Sequence, residues 1–366
     1  MRRLLITGGA GFIGANFVHY WLAQHPNDRV VVFDALTYAG NLANLESVSR
    51  LPNFRFVLGN LLQGELLEQI IREENINTIV HFAAETHVDR SIASPEVFIQ
   101  SNVVGTHQLL QAARKVWITE NKMNDSYRFH HISTDEVYGS LSPIDPPFTE
   151  TTRYAPNSPY AASKAASDHL VWVYHHTYGL PVTISYCSNN YGPYQFPEKL
   201  IPLLITHALQ GQPLTIYGDG QNIRDWLYVE DHCRCIELIL KKGELGEVYN
   251  VGSHNERSNN AIAELVCEII DDLFAKDSEL GWRFTKCPAA HAKKTRVLLR
   301  YVTDRPGHDR RYAINAQKVI QELGFQAQND FRNNLEKTVR WYLDNQSWWY
   351  QLLNTSSHQS NKETVE

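Results

Sequence analysis

Two groups of residues carry reactive side chains at spacings that chemistry can use. Tyr160-Ala161-Ala162-Ser163-Lys164 opens a long helical pattern. Residues four apart share a helix face, so Tyr160 and Lys164 are expected to point into one pocket. A lysine ammonium beside a phenol favours the phenolate, a base that can take a hydroxyl proton as hydride leaves. The second group, Thr134-Asp135-Glu136, ends an apolar run. Two adjacent acids there divide the labour of an elimination: one removes a carbon-bound proton and the other protonates a leaving hydroxyl. Taken alone, the Tyr/Lys spacing is a surface coincidence and the acids a solvated turn or a helix cap. Their shared setting lifts both above that reading.

That setting begins at the N-terminus. The apolar run Leu4–Thr7 leads into Gly8-Gly9-Ala10-Gly11-Phe12-Ile13-Gly14 and then a helical pattern. Glycines at 8, 11 and 14 let the chain turn tightly and bring backbone N–H groups, with the positive end of the helix, up to a pyrophosphate. Asp34, twenty positions beyond Gly14, ends the next apolar run. A carboxylate there accepts from ribose hydroxyls and repels a 2′-phosphate, so the expected cofactor is NAD rather than NADP.

The elements that must hold these groups alternate. Strands are expected at Leu4–Thr7, Val30–Asp34, Phe54–Leu58, Thr78–Ala83, Phe129–Ser133 and Val182–Tyr186, with helices at Phe12–Gln24, Glu65–Glu74, Pro95–Trp117 and Pro159–Tyr178. This rhythm predicts an α/β fold, a Rossmann-like doubly wound parallel sheet whose ligands lie beyond the C-terminal strand ends. From about Asn189, prolines and glycines suggest irregular structure forming a smaller C-terminal substrate-binding lobe. The expected division is a dinucleotide-binding domain over 1–188, to which a helix Asp225–Lys241 and a strand Glu247–Val251 return, and a substrate lobe over 189–224 and 252–350. Phe331–Leu343 is expected to be an amphipathic helix, 279–299 a solvated basic loop, and 354–366 a disordered tail.

Composition sets the outer limits. The chain has 366 residues, 43% hydrophobic and 20% charged, with a formal net charge of −6. That balance suits a globular protein and argues against general binding to nucleic acid, which needs a basic face. No apolar run resembles a signal peptide or membrane span, and the five scattered cysteines form no disulfide framework. A cytoplasmic protein is expected. Cys233 and Cys235 lie close to His232, but no second ligand pair follows at zinc-like spacing, so no metal is expected.

The motifs in combination resemble the dTDP-glucose 4,6-dehydratase family of the extended short-chain dehydrogenase/reductase superfamily. They are Thr7–Gly14, Asp34–Asn41, Ala83–Ile92, His131–Gly139, Tyr160–Lys164, Ser188–Pro202, Asn222–His232 and Asp304–Ile314. The resemblance implies a redox-neutral conversion of dTDP-glucose to dTDP-4-keto-6-deoxyglucose plus water, on the way to rhamnose or another deoxysugar. Tyr160 takes the O4 proton as C4 gives hydride to NAD; Glu136 removes the C5 proton, Asp135 protonates the C6 hydroxyl, and hydride returns to C6. Thr134 holds the 4-oxygen, and Lys164 also holds the nicotinamide ribose. The cofactor residues it implies are Gly8, Gly11, Phe12, Ile13, Gly14, Asp34, Leu36, Thr37, Asn60, Leu61, Ala83, Ala84, Ser101, Tyr160, Lys164 and Asn190. For the substrate it implies Thr86, Thr134, Asn189, Glu198, Lys199, Leu200, Thr215, Tyr217, Arg224, Asn259, Arg305 and His308, with the two arginines on the pyrophosphate. Asn60 stands where the family has Asp, Thr86 for serine and Ser101 for threonine. A homodimer is expected. A 4-epimerase has no use for the acid pair, and a non-catalytic NAD-binding scaffold has no use for the intact Tyr160, Lys164, Asp135 and Glu136.

Overall fold

Leu4, Leu5 and Ile6 are wholly buried, as are Val30, Val31 and Val32. Apolar runs of this kind become strands covered on both faces, and a parallel sheet supplies that environment. The computed structural model describes residues 1–120, 127–304, 308–328 and 330–363. Its strands are β1 (Arg3–Thr7), β2 (Arg29–Asp34), β3 (Phe54–Leu58), β4 (Thr78–His81), β5 (Arg128–Thr134), β6 (Val182–Cys187), β7 (Asn189–Tyr191), β8 (Leu214–Tyr217), β9 (Ile223–Tyr228), β10 (Val248–Val251), β11 (Glu256–Ser258) and β12 (Leu299–Val302).

Seven of them form one parallel sheet in the order β10-β6-β5-β4-β1-β2-β3. This is the doubly wound Rossmann-like arrangement. Alternate side chains feed opposite layers. Leu5 and Val31 join Leu109, Trp117, Phe129 and Val171 on one face. Leu4, Ile6, Val30 and Val32 join Phe17, Trp21, Ile236 and Tyr249 on the other. Chain order reverses at β1, which lies between β2 and β4, and that switch opens a crevice beyond the strand ends.

Three expectations need correction. The helix expected from Asp225 begins at Val229, because Asp225–Tyr228 complete β9, which pairs with β7 and β11. Bulky Trp226 and Tyr228 suit an extended chain, and the Asp225 carboxylate accepts from the backbone N–H of Ser253 and Asn255 across the turn. Segment 279–299 is not a solvated loop: Leu280, Phe284 and Cys287 enter the core and Thr295 bonds Asp271, leaving Lys293, Lys294 and Arg296 outside. The expected tail at 354–366 is helical as far as Glu363. Trp348 and Trp349 anchor the start of that helix by donating to Asn44 Oδ1 and the Tyr342 carbonyl, and a fixed first turn lets a helix propagate.

Beyond the main sheet, Tyr191, Leu204, Ile216, Ile262, Ile270, Leu335, Tyr342 and Trp349 build a separate core in the C-terminal half. The stretch expected to be irregular contains helix Leu200–Leu209 and strand β8. Among the described residues, no helix is long and apolar enough to cross a membrane.

Candidate active site

The turn after β1 is built for an approaching backbone or anion. Gly8 has φ +71, and a Cβ there would lie 2.6 Å from the Ala83 nitrogen. A Cβ on Gly14 would lie 2.3 Å from the Gly8 carbonyl oxygen. Helix Phe12–Gln24 starts at Gly11 with no side-chain cap, so the amides of its first turn face the crevice uncapped. Asp34 is buried beside them; its Oδ2 accepts from the Ala10 amide at 2.9 Å and its Oδ1 from Leu36 at 2.8 Å. Each oxygen keeps a lone pair for a ribose hydroxyl. Burial raises its pKa above the usual range, with those two amides opposing the rise. This cradle fits a dinucleotide. The cavity it opens is lined by Gly8, Gly11, Phe12, Ile13, Gly14, Asp34, Thr37, Asn60, Leu61, Ala83, Ala84, Ser101, Asn190, Tyr160 and Lys164. Leu36 does not line it; held at φ +53, it contributes its amide to Asp34.

The helix that carries Tyr160 and Lys164 is positioned by its first residues. Ser158 accepts from the Ala161 amide at 3.1 Å and Pro159 occupies the first helical turn, so the start is fixed before Tyr160. Asn102 then ties this helix to the loop after β4. It donates to Ser163 Oγ at 2.8 Å and to the Glu85 carbonyl at 3.0 Å, and accepts from the Glu85 amide at 2.8 Å. It lies in a π-helical stretch, Ile99–Val104, within the expected helix Pro95–Trp117. Sequence reasoning passed over Asn102; a polar residue inside an otherwise helical apolar face was its only signal.

At the end of β5, Thr134 caps the short turn Asp135–Tyr138, its Oγ1 accepting from the Glu136 amide at 3.3 Å. The capping falls to the threonine, and the two acids are left for other work. Asp135 is 2% exposed and its Oδ2 has no hydrogen-bond partner among the described residues. Burial, then the Glu136 and Asp225 carboxylates, push its pKa well above the usual range, with Arg224 opposing. Glu136 is half-buried and lines the cofactor cavity and a second one. Burial and like charge favour the acid form of one carboxyl, while its neighbour lines two cavities.

Tyr160 is buried at the edge of the first cavity. Burial, then Glu136, raise its pKa well above the ordinary value, and a hydrogen bond with Thr134 pulls it down. Lys164, expected to favour the phenolate, instead donates to the Ile132 carbonyl at 2.8 Å and reaches His131 Nε2 at 3.3 Å. Both Tyr160 and Lys164 line the first cavity.

The second cavity adjoins the first through Thr86, Glu136, Asn189, Asn190 and Lys199. Glu198, Leu200, Thr215, Tyr217, Arg224, Asn259 and His308 also line it, while Thr134 lines the first. Arg305 lies outside the described residues. Arg224 is held over the Tyr312 ring at 4.3 Å and donates to the Asp309 carbonyl at 3.0 Å, which aims the guanidinium rigidly. His308 stands edge-on to Tyr217 and bonds Asp304 at 2.7 Å. Gln195, Trp226 and Tyr312 also line this cavity and were not foreseen, because nothing in their spacing marks them as site residues. Cys233 and Cys235 sit in the apolar core, and His232 bonds Asn190 Oδ1 at 2.9 Å. Among the described residues, no group of three or more His, Cys, Asp or Glu is placed to hold a metal ion.

The paired carboxyls meet a dinucleotide cradle, and most of the chain is similar to known proteins. The family model described as GDP-mannose 4,6 dehydratase matches residues 5–338. A dTDP-glucose 4,6-dehydratase of Xanthomonas campestris is 50% identical over 97% of both chains, and one of Neisseria meningitidis is 48% identical over the same share. The chain belongs to the dTDP-glucose 4,6-dehydratase family. The crystal structure of the dTDP-glucose 4,6-dehydratase from Streptomyces venezuelae, with NAD and TYD bound, superposes with a TM-score of 0.84. It is 45% identical and the match covers 96% of this chain and 99% of that one. A UDP-glucose 4-epimerase from Thermotoga maritima has a TM-score of 0.78 at 26% identity, covering 93% of this chain and 98% of that one. Fold alone therefore does not separate dehydratase from epimerase in this superfamily.

Proposed function

We propose that this chain dehydrates dTDP-glucose to dTDP-4-keto-6-deoxyglucose and water. The observation that carries the reading is the unlike surroundings of Asp135 and Glu136 at one strand end, beside Tyr160 and at the meeting of two cavities. NAD, when bound in the glycine cradle, accepts hydride from sugar C4 and returns it to C6. Tyr160, hydrogen-bonded to Thr134, takes the O4 proton. A ketone at C4 acidifies the C5 proton, which Glu136 removes. The C6 hydroxyl leaves as water with a proton from Asp135, whose burial raises its pKa, and Glu136 returns its proton to C5. Arg224 faces the substrate cavity as a partner for the diphosphate, with Arg305 assigned to the same group from the family motif.

The test is incubation of purified protein with dTDP-glucose, following the 4-keto sugar by its absorbance in base. Product only from another nucleotide hexose overturns the nucleotide assignment, and no product from any of them overturns the reaction.

The same reading includes a homodimer. Val97, Ile99, Trp172 and Val173 are large apolar side chains exposed on the helical stretch after Pro95 and on helix Pro159–Tyr178, neighbouring elements of one layer. Cytoplasmic location and a role in making rhamnose or another deoxysugar complete it; five unpaired buried cysteines accord with a reducing compartment.

A further inference from the structure

Helix Pro159–Tyr178 carries a carboxylate one turn beyond its lysine. Lys164 and Asp168 share a helix face and are 4% and 1% exposed. A buried ammonium needs a compensating charge, or it gives up its proton. The Lys164 nitrogen touches the Ile132 carbonyl at 2.8 Å and His131 Nε2 at 3.3 Å, and neither is an anion. The anion approaches the same ring atom, His131 Nε2 lying 3.2 Å from Asp168 Oδ1, which has no hydrogen-bond partner among the described residues. His131 and Ser133 are two apart on β5 and so face the same helix, and Ser133 Oγ donates to Asp168 Oδ2 at 2.8 Å.

A neutral imidazole has one site at Nε2, either a lone pair that accepts from the ammonium or a proton given to the carboxylate. The charges of Lys164 and Asp168 are therefore tied through one atom. Burial keeps His131 neutral by lowering its pKa well below the ordinary value. Burial pushes Asp168 up to about 7 against the pull of Lys164, and Asp168 is the leading influence keeping the lysine charged. The other titratable groups around the cluster include His169 on the same helix, His81 on β4, His130 on β5, Cys187 and Tyr186 on β6, and Tyr154, whose hydroxyl bonds that of Tyr186. The dehydration as written gives no task to His131 or Asp168.

We propose that His131 and Asp168 are the positioning pair of Lys164, a buried counter-ion reached through an imidazole that keeps the lysine charged and stationed beside the reacting sugar and cofactor. This rests on the dehydratase reading, which makes Lys164 part of the oxidation step.

The test isolates that step. In a Glu136→Gln background, where elimination is blocked, dTDP-glucose is mixed with the NAD-loaded protein and cofactor reduction is followed against pH. Adding Asp168→Asn is expected to slow reduction by about 10- to 100-fold, the usual cost of losing a group that orients a functional side chain. The alkaline limb should also move to lower pH by about one unit or more, since a lysine without its counter-ion loses its proton sooner. Reduction with an unmoved limb overturns the inference; no reduction with or without Asp168 overturns the dehydratase reading instead. His131→Leu and His131→Gln guard against a folding defect, because glutamine can accept from Lys164 and donate to Asp168 whereas leucine can do neither. Slow reduction in the leucine variant with recovery in the glutamine variant supports the pair, and equal rates overturn it.

Discussion

Asp135 and Glu136 are consecutive in the chain and unlike in surroundings: Asp135 is 2% exposed, while Glu136 borders both cavities. The elimination needs Asp135 as an acid, and its raised pKa extends the acid form to higher pH than an ordinary carboxyl. Turnover should therefore persist above the ordinary carboxyl range and fall as pH rises through that raised pKa, because the form that donates is then lost. Asp135→Asn should lower kcat by about 10²- to 10⁴-fold, the span of a lost general acid, and steady-state kinetics across pH checks both.

Glu136→Gln should separate binding from turnover. The amide keeps the shape of the side chain and loses its basicity, so NAD and nucleotide binding should match the unaltered protein within about threefold while kcat falls by on the order of 10²-fold or more. Calorimetric binding set beside product formation is the check. Unchanged turnover would remove Glu136 as the base.

Gly14→Ala should damage the fold and the cofactor site together. The added Cβ falls 2.3 Å from the Gly8 carbonyl oxygen, a backbone atom with little room to retreat. A loss of about 1–3 kcal/mol is expected for such overpacking, together with weaker NAD retention. Thermal unfolding and the cofactor content of purified protein measure the two effects.

Asp34→Asn should narrow the preference for NAD over NADP by about tenfold or more, the equivalent of roughly 1.4 kcal/mol. The carboxylate is the negative group that a 2′-phosphate would meet, and the substitution removes its charge while leaving one carbonyl oxygen for the Ala10 or Leu36 amide. Dissociation constants for the two cofactors decide it.

The legible part of this protein was local. Gly8, Gly11 and Gly14 between a strand and a helix, Asp34 at the next strand end, and Tyr160 with Lys164 four apart are positions whose meaning depends on backbone geometry over a few residues. The alternation of buried runs with helical patterns gave the parallel sheet for the same reason. Short-range pattern could not fix the boundary at Asp225–Tyr228, where β9 is made by partners β7 and β11, nor the docking of segment 279–299 on the second core.

Residue type and spacing alone determined which groups could react and which cofactor the first turn would take. Only the tertiary structure decided their electrical state. Burial and two carboxylates, one its chain neighbour and the other on β9, raise the pKa of Asp135; Lys164 donates to the Ile132 carbonyl of β5; and His131 Nε2 lies within reach of both that lysine and Asp168. Solvent exclusion and the distance between charges from separate strands set a proton's free energy, and both exist only after the chain has closed upon itself.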